Sequence, residues 1–343
     1  MEKIAIVGLG LIGASLGLAL KRAGLDDVEL VGYDKEWGVG GRAEKRGAID
    51  RTARDLPSAV RDASLVILAT PILAMREVME AMAPALREGC VVTDTGSTKA
   101  QVLRWAKELL PAHVHFVGGH PMAGKESSGL DAAEADLFRD APYCVVPSVD
   151  AEERAINAVL ALIAAVGAYP VFLDANEHDS YVAAVSHLPM VLAAALFSLV
   201  RGSQAWPEMS ALAAGGFRDT TRLAASDPGL SHDICLTNRE AVLHWLDRLA
   251  AELGRFRELV EGSEEELFKT FARIQLDRED YLRQPREPAR QPPSTPEAEG
   301  LSAGERMAAL LVGERWVRRM REMGRVADER SRERGRQERL KRR

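Results

Sequence analysis

A histidine set among four glycines is where this 343-residue chain first offers residue types suited to chemistry. Residues 116–130 read FVGGHPMAGKESSGL and show neither helical nor strand periodicity. Ordering such a stretch costs backbone entropy, and loops held by rigid scaffolds are where catalytic groups concentrate. His120 is the candidate general base, because an imidazole with an ordinary pKa of about 6.5 is a neutral proton acceptor at pH 7. Activity is then expected to rise as pH passes the pKa of His120 in the free enzyme.

A second constellation lies at the amino terminus. An apolar, β-branched run at residues 3–7 precedes Gly8-Leu9-Gly10-Leu11-Ile12-Gly13, and a helix is expected from there to about residue 23. A second strand at residues 28–33 ends in Asp34, 21 residues after Gly13. Glycines alone are weak evidence; strand, glycines, helix, strand and acid in this order predict a dinucleotide site. Gly8, Gly10 and Gly13 allow a tight turn, close approach of backbone to a pyrophosphate, and close helix–strand packing. Leu11 and Ile12 open the helix whose free N–H groups would face that anion. The Asp34 carboxylate accepts from ribose hydroxyls and repels a 2′-phosphate, so NAD is the expected cofactor.

The elements that must position these groups follow in order. Residues 65–69 read as a buried strand, and Thr70-Pro71 turns outward at its carboxyl end, where ligands bind in such sheets. Residues 91–94 form another strand, followed by the small-residue turn Thr95-Gly96-Ser97-Thr98-Lys99. Ser97 there either bonds a ligand or caps the next helix. Strands at 143–147 and 169–173 flank an Ala-rich helix. Alternation of this kind predicts a doubly wound, mostly parallel α/β domain over residues 1–174. Residues 175–284 carry only helical signals, with capping-box spacing at Thr237–Glu240 and Ser263–Glu266. Leu243, Leu246, Leu249, Ala250, Leu253 and Phe256 form an apolar stripe, expected to be buried against a second copy of the chain. Residues 182–200 are nearly apolar. Ser186, His187 and Pro189 interrupt them, which favours a helix buried in a bundle over a membrane span.

Composition narrows the class. A hydrophobic share of 46% and a charged share of 28% are those of an ordinary soluble protein. Residues 286–343 hold 16 Lys+Arg against 10 Asp+Glu, a balance of +6, which leaves −12 on residues 1–285 from a total of −6. An acidic body argues against a nucleic-acid partner. Cys90, Cys144 and Cys235 fit no metal spacing and read as buried thiols of a reducing cytoplasm. Residues 285–343 read as a Pro-rich linker and an Arg-rich tail, disordered or partly helical.

Three further motifs, beyond the common glycine fingerprint, carry a resemblance. They are Gly118-Gly119-His120-Pro121-Met122-Ala123-Gly124 with Glu126, Ser186-His187-Leu188-Pro189, and Gly215-Gly216-Phe217-Arg218-Asp219-Thr220-Thr221-Arg222 running on to Ser226-Asp227-Pro228. With them, residues 1–284 resemble the prephenate dehydrogenase family, arogenate-using relatives included. The resemblance implies a Rossmann domain followed by an all-helical dimerisation domain, a nicotinamide cofactor and oxidative decarboxylation of prephenate or arogenate. It also implies that His120 engages the ring hydroxyl with Ser97 beside it, that Glu126 helps gate the site, and that His187 and Arg222 bind substrate. No metal is implied. Many relatives continue into a regulatory ACT domain, whose alternating strands have no counterpart in the signals of this tail.

Overall fold

The computed structural model describes residues 2–25, 27–125, 127–148 and 151–284. Eight strands form one sheet: β1 (Glu2–Val7), β2 (Val28–Tyr33), β3 (Arg51–Thr52), β4 (Leu65–Leu68), β5 (Val91–Asp94), β6 (His115–Pro121), β7 (Pro142–Pro147) and β8 (Tyr169–Phe172). Their spatial order is β3-β2-β1-β4-β5-β6-β7-β8, parallel throughout except for the antiparallel β6–β7 pair. The first six strands follow the order of a dinucleotide-binding sheet, and their carboxyl ends share one edge. Six helices cover the two faces: α1 (Leu11–Arg22), α2 (Val39–Lys45), α3 (Leu56–Val60), α4 (Ala74–Met82), α5 (Ala100–Leu109) and α6 (Glu153–Ala165).

Strand periodicity divides the core. On β1, Ile4 and Ile6 join Leu16, Leu20 and Leu162 on one face. Ala5 and Val7 join Met75, Met79 and Trp105 on the other. Burial on both faces explains why these strands read as continuous apolar runs rather than as alternation.

The stretch expected to be a loop is partly strand. Residues 116–121 complete β6, and His120 pairs with Cys144 of β7. Glycines at 118 and 119 erase the side-chain alternation by which a strand is recognised. Packing requires them: a Cβ on Gly119 would lie 2.5 Å from the Asp94 carbonyl oxygen.

Seven helices follow the sheet: α7 (Ala175–Val182), α8 (Leu188–Arg201), α9 (Trp206–Leu212), α10 (Gly215–Thr221), α11 (Pro228–Thr237), α12 (Arg239–Glu261) and α13 (Glu264–Arg283). Residues Ala183–His187 form a π-helical turn between α7 and α8. Pro189, at the start of α8, cannot donate an N–H to the preceding turn, and a widened turn of this kind often marks a functional site. Asp227 caps α11 through Leu230 N at 2.9 Å, with Pro228 at its first position. The two capping boxes do not form: neither α12 nor α13 has a side-chain cap.

Burial in this part differs from the expectation. The run Ala175–Arg201 is long and apolar enough to cross a membrane by length and composition, yet only 28% of its apolar window is buried within the chain. Only Met190 and Ala193 of α8 are fully covered. On α12, Leu243 and Leu253 of the apolar stripe are exposed, as are Phe268, Phe271 and Ile274 of α13. No other helix among the described residues covers these faces.

Candidate functional site

The glycine turn is built for an anion. Gly8 sits at φ +93°, and a Cβ on Gly13 would lie 1.9 Å from the Gly8 carbonyl oxygen. A Cβ on Gly10 would meet nothing within 4 Å, so its hydrogen leaves open space for a ligand against the backbone. Helix α1 begins with no side-chain cap, leaving the first-turn N–H groups at Leu11 and Ile12 available. Asp34 accepts from Leu9 N at 2.8 Å and from Glu36 N at 2.9 Å. Those bonds fix its carboxylate beside the turn, and each oxygen retains a lone pair for a ribose hydroxyl. These residues fit a dinucleotide. Gly13→Ala drives a methyl into backbone that cannot give way, so cofactor affinity should fall at least about tenfold. A dissociation constant within twofold of wild type would contradict this fit.

A cleft of about 360 Å³ runs along the carboxyl edge of the sheet. Gly10, Leu11 and Ile12 line one end; Thr70 and Pro71 follow β4, and Gly96 and Ser97 follow β5. His120 and Pro121 come from β6, and Ser226, Asp227 and Leu230 from the helical part. Ser97 and His120 thus share the cleft, without a direct hydrogen bond between them. Ser97 does not cap α5; that task falls to Asp179, which accepts from Lys99 N at 2.7 Å and Ala100 N at 2.9 Å. Thr70 Oγ1 is buried without a partner.

His120 is 7% exposed, and its Nδ1 lies 2.9 Å from His178 Nε2. His178 Nδ1 in turn lies 2.8 Å from Asp179 Oδ1. Below His120, the fully buried Lys99 pairs with Asp94 and donates to the Gly119 carbonyl at 2.7 Å. The other Asp94 contacts are backbone N–H groups, from Gly96 at 2.8 Å and Gly119 at 3.1 Å. His187, on the π-helical turn, is 1% exposed and accepts at Nδ1 from Asn238 Nδ2 at 3.2 Å. The Asn238 amide also donates to the Asp179 carbonyl at 2.7 Å. His187 Nε2 has no partner; the Ser97 backbone influences its charge without forming a proper hydrogen bond.

Arg222 is exposed, on the turn Arg222–Ala225, and is not among the side chains lining the cleft; Ser226, four residues on, is. Glu126 lies outside the described residues, as do residues 285–343 and with them the expected linker and tail. Among the described residues, no group of three or more His, Cys, Asp or Glu side chains is arranged to hold a metal. Sequence reasoning missed His178, Asp179, Lys99, Asp94 and Asn238. The available signal was their type alone: polar or ionisable residues in or beside elements that are otherwise buried.

Burial, together with His178, Lys99 and His187, holds the pKa of His120 well below 6.5. Burial also lowers His178, against the opposing pull of Asp179, and lowers His187 to about 4. The expected acid limb of activity therefore moves below 6.5. Stability follows the same sign. An unfolded histidine takes its proton near 6.5, whereas the folded ones resist, so stability is full above 6.5 and falls as pH drops toward the folded values. His187 alone accounts for about 3 kcal/mol over that window. Urea midpoints should fall between pH 7 and pH 4.5; a flat series would contradict the buried, neutral cluster.

The family model described as "Prephenate dehydrogenase, nucleotide-binding domain" matches residues 16–171, and "Prephenate dehydrogenase, dimerization domain" matches residues 174–273. The chain is 40% identical to a cyclohexadienyl dehydrogenase of Zymomonas mobilis over 75% of its own length and 87% of the relative's. It is 36% identical to a prephenate dehydrogenase of Bacillus subtilis over 79% of its length and 73% of the relative's. The crystal structure of an Aquifex aeolicus prephenate dehydrogenase in complex with hydroxyphenyl propionate and NAD+ superposes with a TM-score of 0.76. The identity is 30%, covering 82% of this chain and 98% of that one. A Synechocystis arogenate dehydrogenase gives 0.70 at 31% identity, covering 81% and 99%. A dinucleotide-type sheet with its glycine turn, a buried histidine at the carboxyl edge and matches across both domains lead to one conclusion: the chain belongs to the prephenate dehydrogenase family.

Proposed function

We propose that the protein is an NAD-dependent enzyme that oxidatively decarboxylates prephenate to 4-hydroxyphenylpyruvate, in tyrosine biosynthesis. The observation that carries this reading is the placement of His120, buried and neutral in the same cleft as the dinucleotide turn. Bound NAD supplies the acceptor for a hydride leaving C4 of the ring. The backbone N–H groups at Leu11 and Ile12 hold its pyrophosphate, and Asp34 selects the unphosphorylated ribose. His120 takes the proton of the 4-hydroxyl, and Ser97 orients that hydroxyl beside it. Loss of the ring carboxylate as CO₂ makes the ring aromatic, so the protein's main tasks are alignment and one proton acceptor. Since Asn238 donates to Nδ1 of His187, neutral His187 carries its proton on Nε2; His187 is buried behind the cleft and does not line it, so its assignment to substrate rests on the family resemblance. Arg222 is assigned to a substrate carboxylate, which a guanidinium orients through two parallel bonds. Glu126 is assigned to gating on the family resemblance alone.

The uncovered apolar faces of α8, α12 and α13, together with the dimerisation-domain match, support a homodimer. The three free cysteines support a reducing cytoplasm. The likeness to an arogenate dehydrogenase favours a second reading, arogenate oxidised directly to tyrosine. Steady-state kcat/KM for prephenate and arogenate, each with NAD and NADP, separates these readings. The expected order has prephenate with NAD highest; no turnover of either substrate would overturn the assignment.

A further inference from the structure

A chain of hydrogen bonds behind His120 has only one consistent direction. Asp179 accepts from two backbone N–H groups at the start of α5, so its carboxylate acts as an acceptor and cannot turn away. Nδ1 of His178, 2.8 Å from Asp179 Oδ1, must therefore be the N–H partner. A neutral His178 then presents a lone pair at Nε2, and the 2.9 Å contact makes Nδ1 of His120 the donor. With Nδ1 occupied, the basic lone pair of His120 falls on Nε2, the ring nitrogen left for the cleft. The rings meet edge to face, with centroids 5.1 Å apart and planes at 68°, so the contact fixes orientation as well as tautomer. His178 is fully buried and Asp179 nearly so, and neither lines the cleft. Their reach to the reaction is through His120 alone.

We propose that His178 and Asp179 are positioning residues that lock His120 in its Nδ1–H tautomer, so that Nε2 faces the substrate hydroxyl as the proton acceptor. This rests on the reading of His120 as the base. In the step itself, the hydroxyl O–H bond breaks and its proton joins Nε2. The electron pair of the C4–H bond departs with the hydride to the nicotinamide. The pair left by the O–H bond forms a carbonyl at C4, and His120 becomes an imidazolium whose Nδ1–H still points at His178. When the ring carboxylate leaves as CO₂, its bonding pair makes the ring aromatic and the oxygen a phenolate, which takes the proton back from Nε2 and restores neutral His120. Asp179 belongs to the helical part yet caps a helix of the cofactor domain, so the tautomer is set only when the two are docked. Wrong-tautomer variants of comparable histidine–carboxylate pairs lose catalysis by orders of magnitude.

Nitrogen-15 NMR of the histidine-labelled full chain, saturated with NAD near neutral pH, reads the tautomer directly. Protonated Nδ1 and bare Nε2 at His120 are expected; the opposite assignment overturns the proposal. In kinetics, His178→Leu should lower kcat by at least about thirtyfold, with KM and NAD affinity within about threefold. His178→Gln, whose amide oxygen can occupy the place of Nε2, should recover kcat to within about fivefold of wild type. Full turnover in His178→Leu, or no advantage of glutamine over leucine, overturns it. The companion variant His120→Asn separates the two readings. Full turnover there overturns both, whereas loss there with full turnover in His178→Leu overturns this one alone.

Discussion

His120→Asn is expected to lower kcat by about 10² or more while NAD affinity holds. Asparagine is smaller than histidine and polar, so β6 and its pairing with β7 should persist, but an amide has no basic lone pair. The glycine turn at Gly8–Gly13, proposed to hold NAD, belongs to other elements and is untouched. Tight NAD binding with slow turnover would therefore assign the loss to the chemical step. Burial, with His178, Lys99 and His187 close by, keeps His120 neutral well below 6.5, so wild-type kcat/KM should be flat around neutrality and decline only in more acidic buffer. An unchanged kcat in the variant would remove His120 from the mechanism.

The second large effect concerns stability. Lys99→Met should destabilise the fold by about 3–5 kcal/mol, because it leaves the Asp94 carboxylate buried beside two backbone donors with no countercharge. The same change strips a donor from the Gly119 carbonyl, one residue before His120, so turnover should fall as well. Replacing both partners, as Asp94→Asn with Lys99→Met, should recover much of the stability, since no unpaired charge remains. Urea denaturation of the single and double variants measures the coupling. A loss under about 1 kcal/mol in Lys99→Met would mean that the pair is not the clamp its geometry indicates.

Most of the sheet was legible because its strands are buried on both faces and its turns are marked by Gly, Pro and small residues. The dinucleotide turn was legible for the same reason: Gly8 is required by its torsion and Gly13 by a distance, while Gly10 leaves the space open for a ligand. His120 was found, but its setting was misread. Two glycines hid the strand that carries it, and a loop would not have paired it with Cys144. The groups behind it were invisible to pattern. His178-Asp179 reads as the polar first turn of a helix, and only tertiary structure reveals that Asp179 caps α5 instead of facing solvent. Lys99 likewise reads as an ordinary helix-start lysine until Asp94 and Gly119 enclose it. The capping box at α12 failed for a related reason: Asn238 is committed to His187 and Asp179, and Thr237 bonds Thr98 and the Asp233 carbonyl. The stripe on α12 was correctly apolar, but Leu243 and Leu253 are exposed among the described residues.

The central claim is that this cleft removes a hydride and the ring carboxylate from prephenate, with His120 holding the hydroxyl proton in between. Incubating the purified full chain with prephenate and NAD, and quantifying NADH, CO₂ and 4-hydroxyphenylpyruvate together, tests it most directly. Equal amounts of the three products, abolished together in His120→Asn, are expected. NADH without CO₂, or no NADH from prephenate at all, would contradict it.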